Sequence, residues 1–314
     1  MEAQNKIRTE DQTARCAGAA PLHIQSEKGD DRITVYTVCA GIQVRYHDVH
    51  CAQCDCHVPM NQQLISIDYC REGRLEYQYR DGDFHYLGPN DVKVSTMPEL
   101  VERYAFPTWH FHGISVCISL SEACESLDSC FSFFGLDVKA LREWLCDPNG
   151  IRIIRTGPSI RRVFEDLYDL RGNARTDSLR LKIVELLVQL VQIEQLEIPE
   201  KKAYFQRHQV EKVRQIKAYL CSHTDLRITL PQLAEEYDLP LKTLKACFKN
   251  QYGQSVYAFI KEFRLQKAAQ LLQTTDHSIL EISQEVGYES PSKFAAAFKN
   301  RFHLTPLKYR KTEN

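Results

Sequence analysis

The sequence predicts an α+β chain: an antiparallel β-barrel first, a helical connector next, and an all-helical last third built on two helix-turn-helix motifs. Three observations carry that reading. Short alternating runs fill the stretch from about Arg32 to Leu120. The texture turns helical after Ser121. Near the end, LKACFKNQYG (Leu244 to Gly253) returns as FAAAFKNRFH (Phe294 to His303), the triplet Phe-Lys-Asn falling fifty positions later.

The β-rich stretch reads ITVYTV, IQVRYH, LISIDYC, RLEYQY, FHYLG, DVKVS and HGISVCISL. These runs are rich in β-branched and aromatic residues and are separated by REG, RDGD and GPND, residues that favour tight turns. Many short strands with tight turns are the pattern of an antiparallel barrel or sandwich. Trp109, Tyr69, Tyr77, Tyr79 and Tyr86 are expected in its core or rim, and some can line a pocket, because a small barrel can hold one ligand. Cys39, Cys70 and Cys117 fall in strand patterns and are expected as small buried apolar groups.

Helical texture follows near Leu136–Leu145 and Ser159–Leu170, and then in SLRLKIVELLVQLVQIEQL, Ser178 to Leu196. In the last of these Lys182, Glu185, Gln189 and Gln192 form one narrow polar stripe. A helix so apolar must be covered on more than one side, either by its own domain or by a second copy in a homodimer. IPEKK, Ile198 to Lys202, ends the run. The expected domains are therefore a disordered or loosely packed tail at 1–30, a sensory β-domain at 31–125, a connector and dimerisation region at 126–200, and a terminal helical domain at 207–314.

Charge separates along the chain. Residues from Arg207 onward hold 17 basic and 11 acidic residues, a balance of +6, while the first 206 hold 23 basic and 30 acidic, a balance of −7. A basic tail behind an acidic body points to a polyanionic partner for the tail. The chain is 43% apolar, which excludes wholesale disorder. Its first residues are polar and mixed in charge, with no apolar run of a secretory signal or membrane span, so a cytoplasmic protein without a membrane partner is expected. In that compartment the twelve cysteines read as reduced thiols.

The repeat explains the basic tail. In the first copy Leu233 and Tyr237 face inward from one short helix, and Leu244, Cys247 and Phe248 from the next. In the second copy Phe294, Ala297 and Phe298 do the same. The outward face then carries Lys242, Thr243, Lys245 and Lys249 in one copy and Ser292, Lys293, Ala295, Ala296 and Lys299 in the other. A helix with one packed side and one basic, small-residue side suits the major groove of double-stranded DNA: alanine permits close approach, and lysine reaches phosphates or guanine edges. Between the copies Ser255 to Gln273 reads as one long amphipathic helix, a rod that fixes their separation.

Residues from about Gln209 to Lys311 resemble the DNA-binding domain of AraC-family transcription regulators. The resemblance rests on LAEEYDLPLKTLKACFKNQYG, FIKEFRLQKAAQLLQ and ILEISQEVGYESPSKFAAAFKNRFHLTPLKYRK. It implies a seven-helix domain in a regulator, often an activator that touches RNA polymerase, and not an enzyme. Its base-reading positions fall on Lys242, Thr243, Lys245 and Ala246, and on Ser292, Lys293, Ala295 and Ala296. Members often carry Arg where Ala246 and Ala296 stand, so bidentate guanine readout, worth about 1–3 kcal/mol, is missing there and DNA shape gains weight. PSKFAAAFKNRF and DYCREGRLEYQY are similar to the pyochelin-regulator-like subgroup, which implies a barrel-like sensory domain and, in some members, an iron–siderophore effector.

YHDVHCAQCDCHVP, Tyr46 to Pro59, is the densest run of metal-ligating residue types. Cys51, Cys54, Cys56 and His57 could bind Zn²⁺ if a second chelating pair completes the tetrahedron. His110 and His112 in WHFHG are the candidate pair, since alternate residues share one face of a strand. An H-x-H strand in a small barrel resembles the cupin metal site, although the usual downstream Glu is missing here. The readings beside metal are incidental thiols and a thiol redox sensor. The expected function is thus a sequence-specific DNA-binding regulator whose N-terminal domain senses a small molecule or a metal complex. The rival is a zinc-cysteine DNA-repair methyl acceptor fused to the same DNA-binding fold.

Overall fold

The computed structural model describes residues 19–23, 32–54, 64–96, 101–119, 121–123, 151–172, 176–193, 205–224 and 229–311. The chain divides into two units, Met1–Tyr204 and Phe205–Asn314.

In the first unit, seven antiparallel strands form one sheet in the order β1 (Ala19–His23), β2 (Arg32–Cys39), β3 (Ile42–Val49), β10 (Phe111–Ser119), β5 (Leu64–Gly73), β8 (Asp91–Ser95) and β11 (Ile151–Arg155). A second ladder runs β7 (Asp83–Leu87), β6 (Leu75–Tyr79), β9 (Val101–Ala105) and β4 (Gln53–Cys54). Every run expected from alternation is a strand. The expected barrel takes the form of these two antiparallel sheets.

Two strands of the first unit lie outside the stretch expected to be β-rich, and β4 and β9 lie within it but outside the runs named above. Within the tail expected to be loose, residues 19–23 form β1, pairing from Ala19 opposite Tyr36 to His23 opposite Arg32. A short stretch containing Pro21 reads poorly as a strand, yet proline is tolerated at a sheet edge, and β1 covers the backbone groups that β2 would otherwise leave open. Within the expected helical connector, Ile151–Arg155 forms β11 and pairs with β8. The helices α1 (Pro158–Asp169) and α2 (Thr176–Ile193) follow it. The expected helix near Leu136–Leu145 lies outside the described residues.

The large sheet has two chemically different faces. On one, Val44, Tyr46, Ile67, Tyr69, Val92, Val94, Ile114 and Val116 join Phe164 and Leu167 of α1 and Ile183, Leu186 and Leu187 of α2 in a single core. Tyr69 stacks on Phe164 with ring centroids 4.3 Å apart, and the Tyr46 hydroxyl donates to the Leu167 carbonyl at 2.6 Å. The sheet therefore covers one side of α2. Leu181 on the same helix remains 72% exposed. On the other face the register aligns Arg45, Ser115, Asp68 and Lys93 in one row across four strands.

Among the described residues the second unit contains seven helices: α3 (Arg207–Ser222), α4 (Leu230–Glu236), α5 (Leu241–Tyr252), α6 (Val256–Thr274), α7 (Ile279–Glu285), α8 (Pro291–Phe302) and α9 (Pro306–Arg310). The nineteen residues of α6 give a rod on the order of 28 Å long. Its first half meets the first copy, where Phe248 and Phe259 pack edge to face at 5.5 Å. Its second half supplies Leu265, Ala268, Ala269 and Leu272 to a core with Ile282, Val286, Phe294 and Phe298. One helix is thus shared by both copies. Of the aromatic residues expected in the first unit's core, Tyr69, Tyr77, Tyr79 and Tyr86 are buried, but Trp109 is 58% exposed in a turn with φ of 63°. It stands outside β10, so the strand does not turn it inward.

Candidate nucleic-acid interface

The two copies repeat at the level of backbone devices. Each short first helix opens with a reciprocal cap: Gln232 N–H donates to Thr229 Oγ1 while Gln232 Oε1 accepts from Thr229 N–H, and Glu281 and Ser278 do the same forty-nine positions later. Each turn then enters positive φ, at Asp238 (45°) and at Gly287 (79°). Each second helix ends on a left-handed residue, Gly253 (79°) and His303 (60°), whose N–H reaches the carbonyl four residues back. Ser255 and Thr305 cap the helices that follow. The spacing is forty-nine before the turn and fifty after it, so the second copy holds one extra turn residue.

That correspondence makes a prediction. A left-handed side-chain-bearing residue costs more than glycine does. The His303→Gly variant should therefore gain about 0.5–1 kcal/mol, read as a higher midpoint of helix loss at 222 nm in urea.

The second helix of each copy presents a distinct outer face. On α5, Leu244, Cys247 and Phe248 are buried, Lys242, Lys245 and Lys249 are exposed, and Thr243 and Ala246 are half-buried. On α8, Phe294 and Phe298 are buried, Ser292, Lys293, Ala296 and Lys299 are exposed, and Ala295 is half-buried. The first copy thus offers a three-lysine stripe, while the second offers serine and alanine between two lysines. Among the described residues no ion pair engages these five lysines. Arg301 behaves differently: its Nε lies 2.7 and 2.9 Å from the two Glu262 carboxylate oxygens, tying α8 to α6. Arg264 Nη1 donates to the Gly287 carbonyl at 3.2 Å and holds the turn. The basic faces are therefore carried on packed, pinned helices. At the start of α5, Pro240 provides no side-chain cap, so the first N–H groups of that helix face outward with the partial positive charge of a helix N-terminus.

Comparison with known proteins matches residues 233–312 to the helix-turn-helix domain family. This C-terminal unit is an AraC-type helix-turn-helix domain. The chain is 47% identical over 64 residues to the HTH-type transcriptional regulator MtrA of Neisseria gonorrhoeae, covering 20% of this chain and 21% of that protein. It is 31% identical over 100 residues to the HTH-type transcriptional activator RhaS of Mannheimia succiniciproducens, covering 32% of this chain and 37% of that one. Among solved structures, the C-terminal domain of the response regulator AraT from Geobacillus stearothermophilus is 32% identical, with a TM-score of 0.31, covering 32% of this chain and 84% of that domain. The chain thus spans about a fifth to two fifths of the length of these curated relatives.

Outside that domain, the polar row of the first unit places a buried lysine beside a buried carboxylate. Lys93 is 1% exposed, its Nζ 3.4 Å from Asp68 Oδ2 and 4.0 Å from the Tyr77 ring centroid. Tyr77 donates to Asp68 Oδ2 at 3.2 Å and Ser66 donates to Oδ1 at 2.7 Å. Burial alone would raise the Asp68 carboxyl, but Lys93, the Ser115 and Ser66 hydroxyls and His47 together hold it below its ordinary value. Burial drives His47 down to about 4. Burial also pushes the Cys117 thiol up to about 11, which is opposite to what a redox-sensing thiolate requires.

The cysteine–histidine loop is only partly described. Cys56, His57 and the side chain of Cys54 lie outside the described residues, and Cys51 is half-buried. His110 does not lie on the β10 strand with His112 as expected, although the two rings stand 6.0 Å apart. β10 begins at Phe111, so His110 sits in the preceding turn with Nδ1 3.0 Å from the Thr108 carbonyl oxygen. His112 instead meets Asp48 and His50, which sequence reasoning did not select. The signal was present as Asp48-Val49-His50, where β3 ends at Val49.

Proposed function

We propose that this chain is a DNA-binding transcription regulator, in which α5 and α8 enter neighbouring major grooves of double-stranded DNA and the first unit receives an effector. The observation that carries this reading is the duplicated helix-turn-helix with a pinned, exposed and basic face in each copy. Lys242, Lys245 and Lys249 serve the phosphates beside the first half-site, and Lys293 and Lys299 those beside the second. Ser292 and Ala296 allow the backbone of α8 close to the base edges, while Thr243, Ala246 and Ala295, being half-buried, act at the margin of the contact. Without arginine at Ala246 and Ala296, selectivity comes from lysine, methyl contacts and groove shape. The buried row around Asp68 and Lys93 supports the effector reading, because convergent polar groups between apolar layers are what a small-molecule site uses. An iron–siderophore complex, contact with RNA polymerase, and pairing of two copies through the exposed side of α2 belong to the same proposal. A methyl-acceptor reading finds no support among the described residues.

The test is salt-dependent binding to a duplex selected from a randomised pool. Lys245→Ala and Lys293→Ala should each weaken binding several-fold and lower the slope of log K against log salt by about 1. Unchanged affinity and slope in both variants, with the helical signal intact, would remove the proposal.

A further inference from the structure

Asp48 lies at the end of β3, which stops at Val49, and His50 follows directly after it with its ring turned back onto the Asp48 carboxylate. His112 stands directly opposite Asp48 in the β3–β10 ladder, and Glu72 stands opposite His112 in the β5–β10 ladder. Three neighbouring strands thus bring four metal-ligating side chains to one corner of the sheet. The Nε2 atom of His50 lies 3.0 Å from Asp48 Oδ1. The Nε2 atom of His112 lies 3.2 Å from the same oxygen and 3.4 Å from His50 Nε2. Among the described residues these three form the group whose ligand atoms converge.

Those separations are the edges of a coordination polyhedron. Metal–nitrogen and metal–oxygen bonds of about 2.0–2.1 Å at a tetrahedral angle place neighbouring ligand atoms about 3.3 Å apart. The surroundings orient the ligands as a metal would need. Glu72 Oε2 is 3.4 Å from His112 Nδ1, where the carboxylate can accept from an Nδ1–H and so orient Nε2 toward the cluster as a ligand atom. Arg171 Nη2 holds Asp48 Oδ2 at 3.2 Å, which leaves Oδ1 for the centre.

We propose that Asp48, His50 and His112 form a site for a divalent first-row transition-metal ion, with Glu72 and Arg171 as positioning residues. Two imidazoles and one carboxylate suit Zn²⁺, Co²⁺ or Fe²⁺, and the edge lengths favour the tetrahedral preference of Zn²⁺. Three protein ligands leave one position for water or an oxygen of a further ligand. His50 is exposed and Asp48 and His112 are half-buried, so an ion has a path in from solvent. Among the described residues no thiol joins the converging group, and Cys51 and His110 lie outside it. It stands independently of the DNA-binding role.

Co²⁺ titration of the chelator-treated full chain tests it, because nitrogen–oxygen and thiolate sites differ in their spectra. The background is a Cys51→Ser, Cys54→Ser, Cys56→Ser variant, which removes the competing cysteine loop. This variant should take up one ion with visible d–d bands and no sulfur-to-cobalt charge-transfer band. Adding His112→Gln should abolish those bands, and adding Glu72→Gln, which keeps all three ligands and serves should His112→Gln fail to fold, should weaken uptake about 10–100-fold. Zn²⁺ should displace the Co²⁺. Failure of the cysteine variant to bind, or uptake unchanged by either His112→Gln or Glu72→Gln, would overturn the assignment.

Discussion

Truncating Lys93 to alanine should cost the first unit about 3–5 kcal/mol, because it strands a buried carboxylate without its cation. Lys93 and Asp68 face each other between the sheets, with Tyr77 against both. In the intact protein the Asp68 carboxyl is held below its ordinary value, so its ionised form contributes stability above the unfolded pKa of about 3.9 that is lost as pH falls through the folded value. Without Lys93 burial dominates and the folded value rises above the unfolded one. The penalty is then small in acid, where the group is neutral in both states, and full once pH passes the raised folded value. Lys93→Ala should accordingly be destabilised more at pH 7 than at pH 4. Tryptophan fluorescence reads the effect in the right place, since both tryptophans, Trp109 and Trp144, belong to the first unit. The Asp68→Asn/Lys93→Met double variant should recover most of the loss. A penalty under about 1 kcal/mol with no pH dependence would show that the pair is not a desolvated ion pair.

Gly287→Ala should destabilise the AraC-type domain by roughly 2–5 kcal/mol. Two effects add there. The backbone sits at φ of 79°, and a Cβ would stand 2.3 Å from the Thr224 carbonyl oxygen. The nearby Arg264 guanidinium can swing away, but a backbone carbonyl cannot. Gly82→Ala separates the two effects, because Gly82 has φ of 91° and nothing within 4 Å of the added carbon. That control should cost only the dihedral part, about 1–2 kcal/mol. Loss of ellipticity at 222 nm in urea follows the helical domain, and tryptophan fluorescence follows the unit holding Gly82. Equal penalties for the two variants would mean that the approach to Thr224 carries no strain. Asp238, the counterpart of Gly287 in the first copy, shows that the turn itself does not demand glycine.

These two residues illustrate what a linear reading can reach. The strands were legible because alternation of apolar and polar residues is a local signal, and DVKVS was recognisable as a strand on that basis. That Lys93 points inward to a carboxylate was not, because Asp68 lies on a different strand and only the register brings them together. The duplicated helix-turn-helix was legible because both the apolar spacing and the capping residues recur. The half-burial of Ala295 was not, since the exposure of a small residue depends on how closely α8 settles on its neighbours. The cysteine loop drew attention through composition, while the converging ligands turned out to be a carboxylate and two histidines. Their meeting depends on where β3 ends and where β10 begins.

Local chemistry by itself determined seven of the strands, the helical last third, the two repeated helix-turn-helix motifs and their lysine-bearing faces, because periodicity, caps and charge are properties of neighbouring residues. Tertiary structure alone decided the edge strands β1 and β11, the ion pair sealed between the sheets, the glycine pressed against Thr224 and the Asp48–His50–His112 corner. Each of these joins positions far apart in the chain, and strand register and helix docking are set by burial of the whole core, which no short window of residues contains.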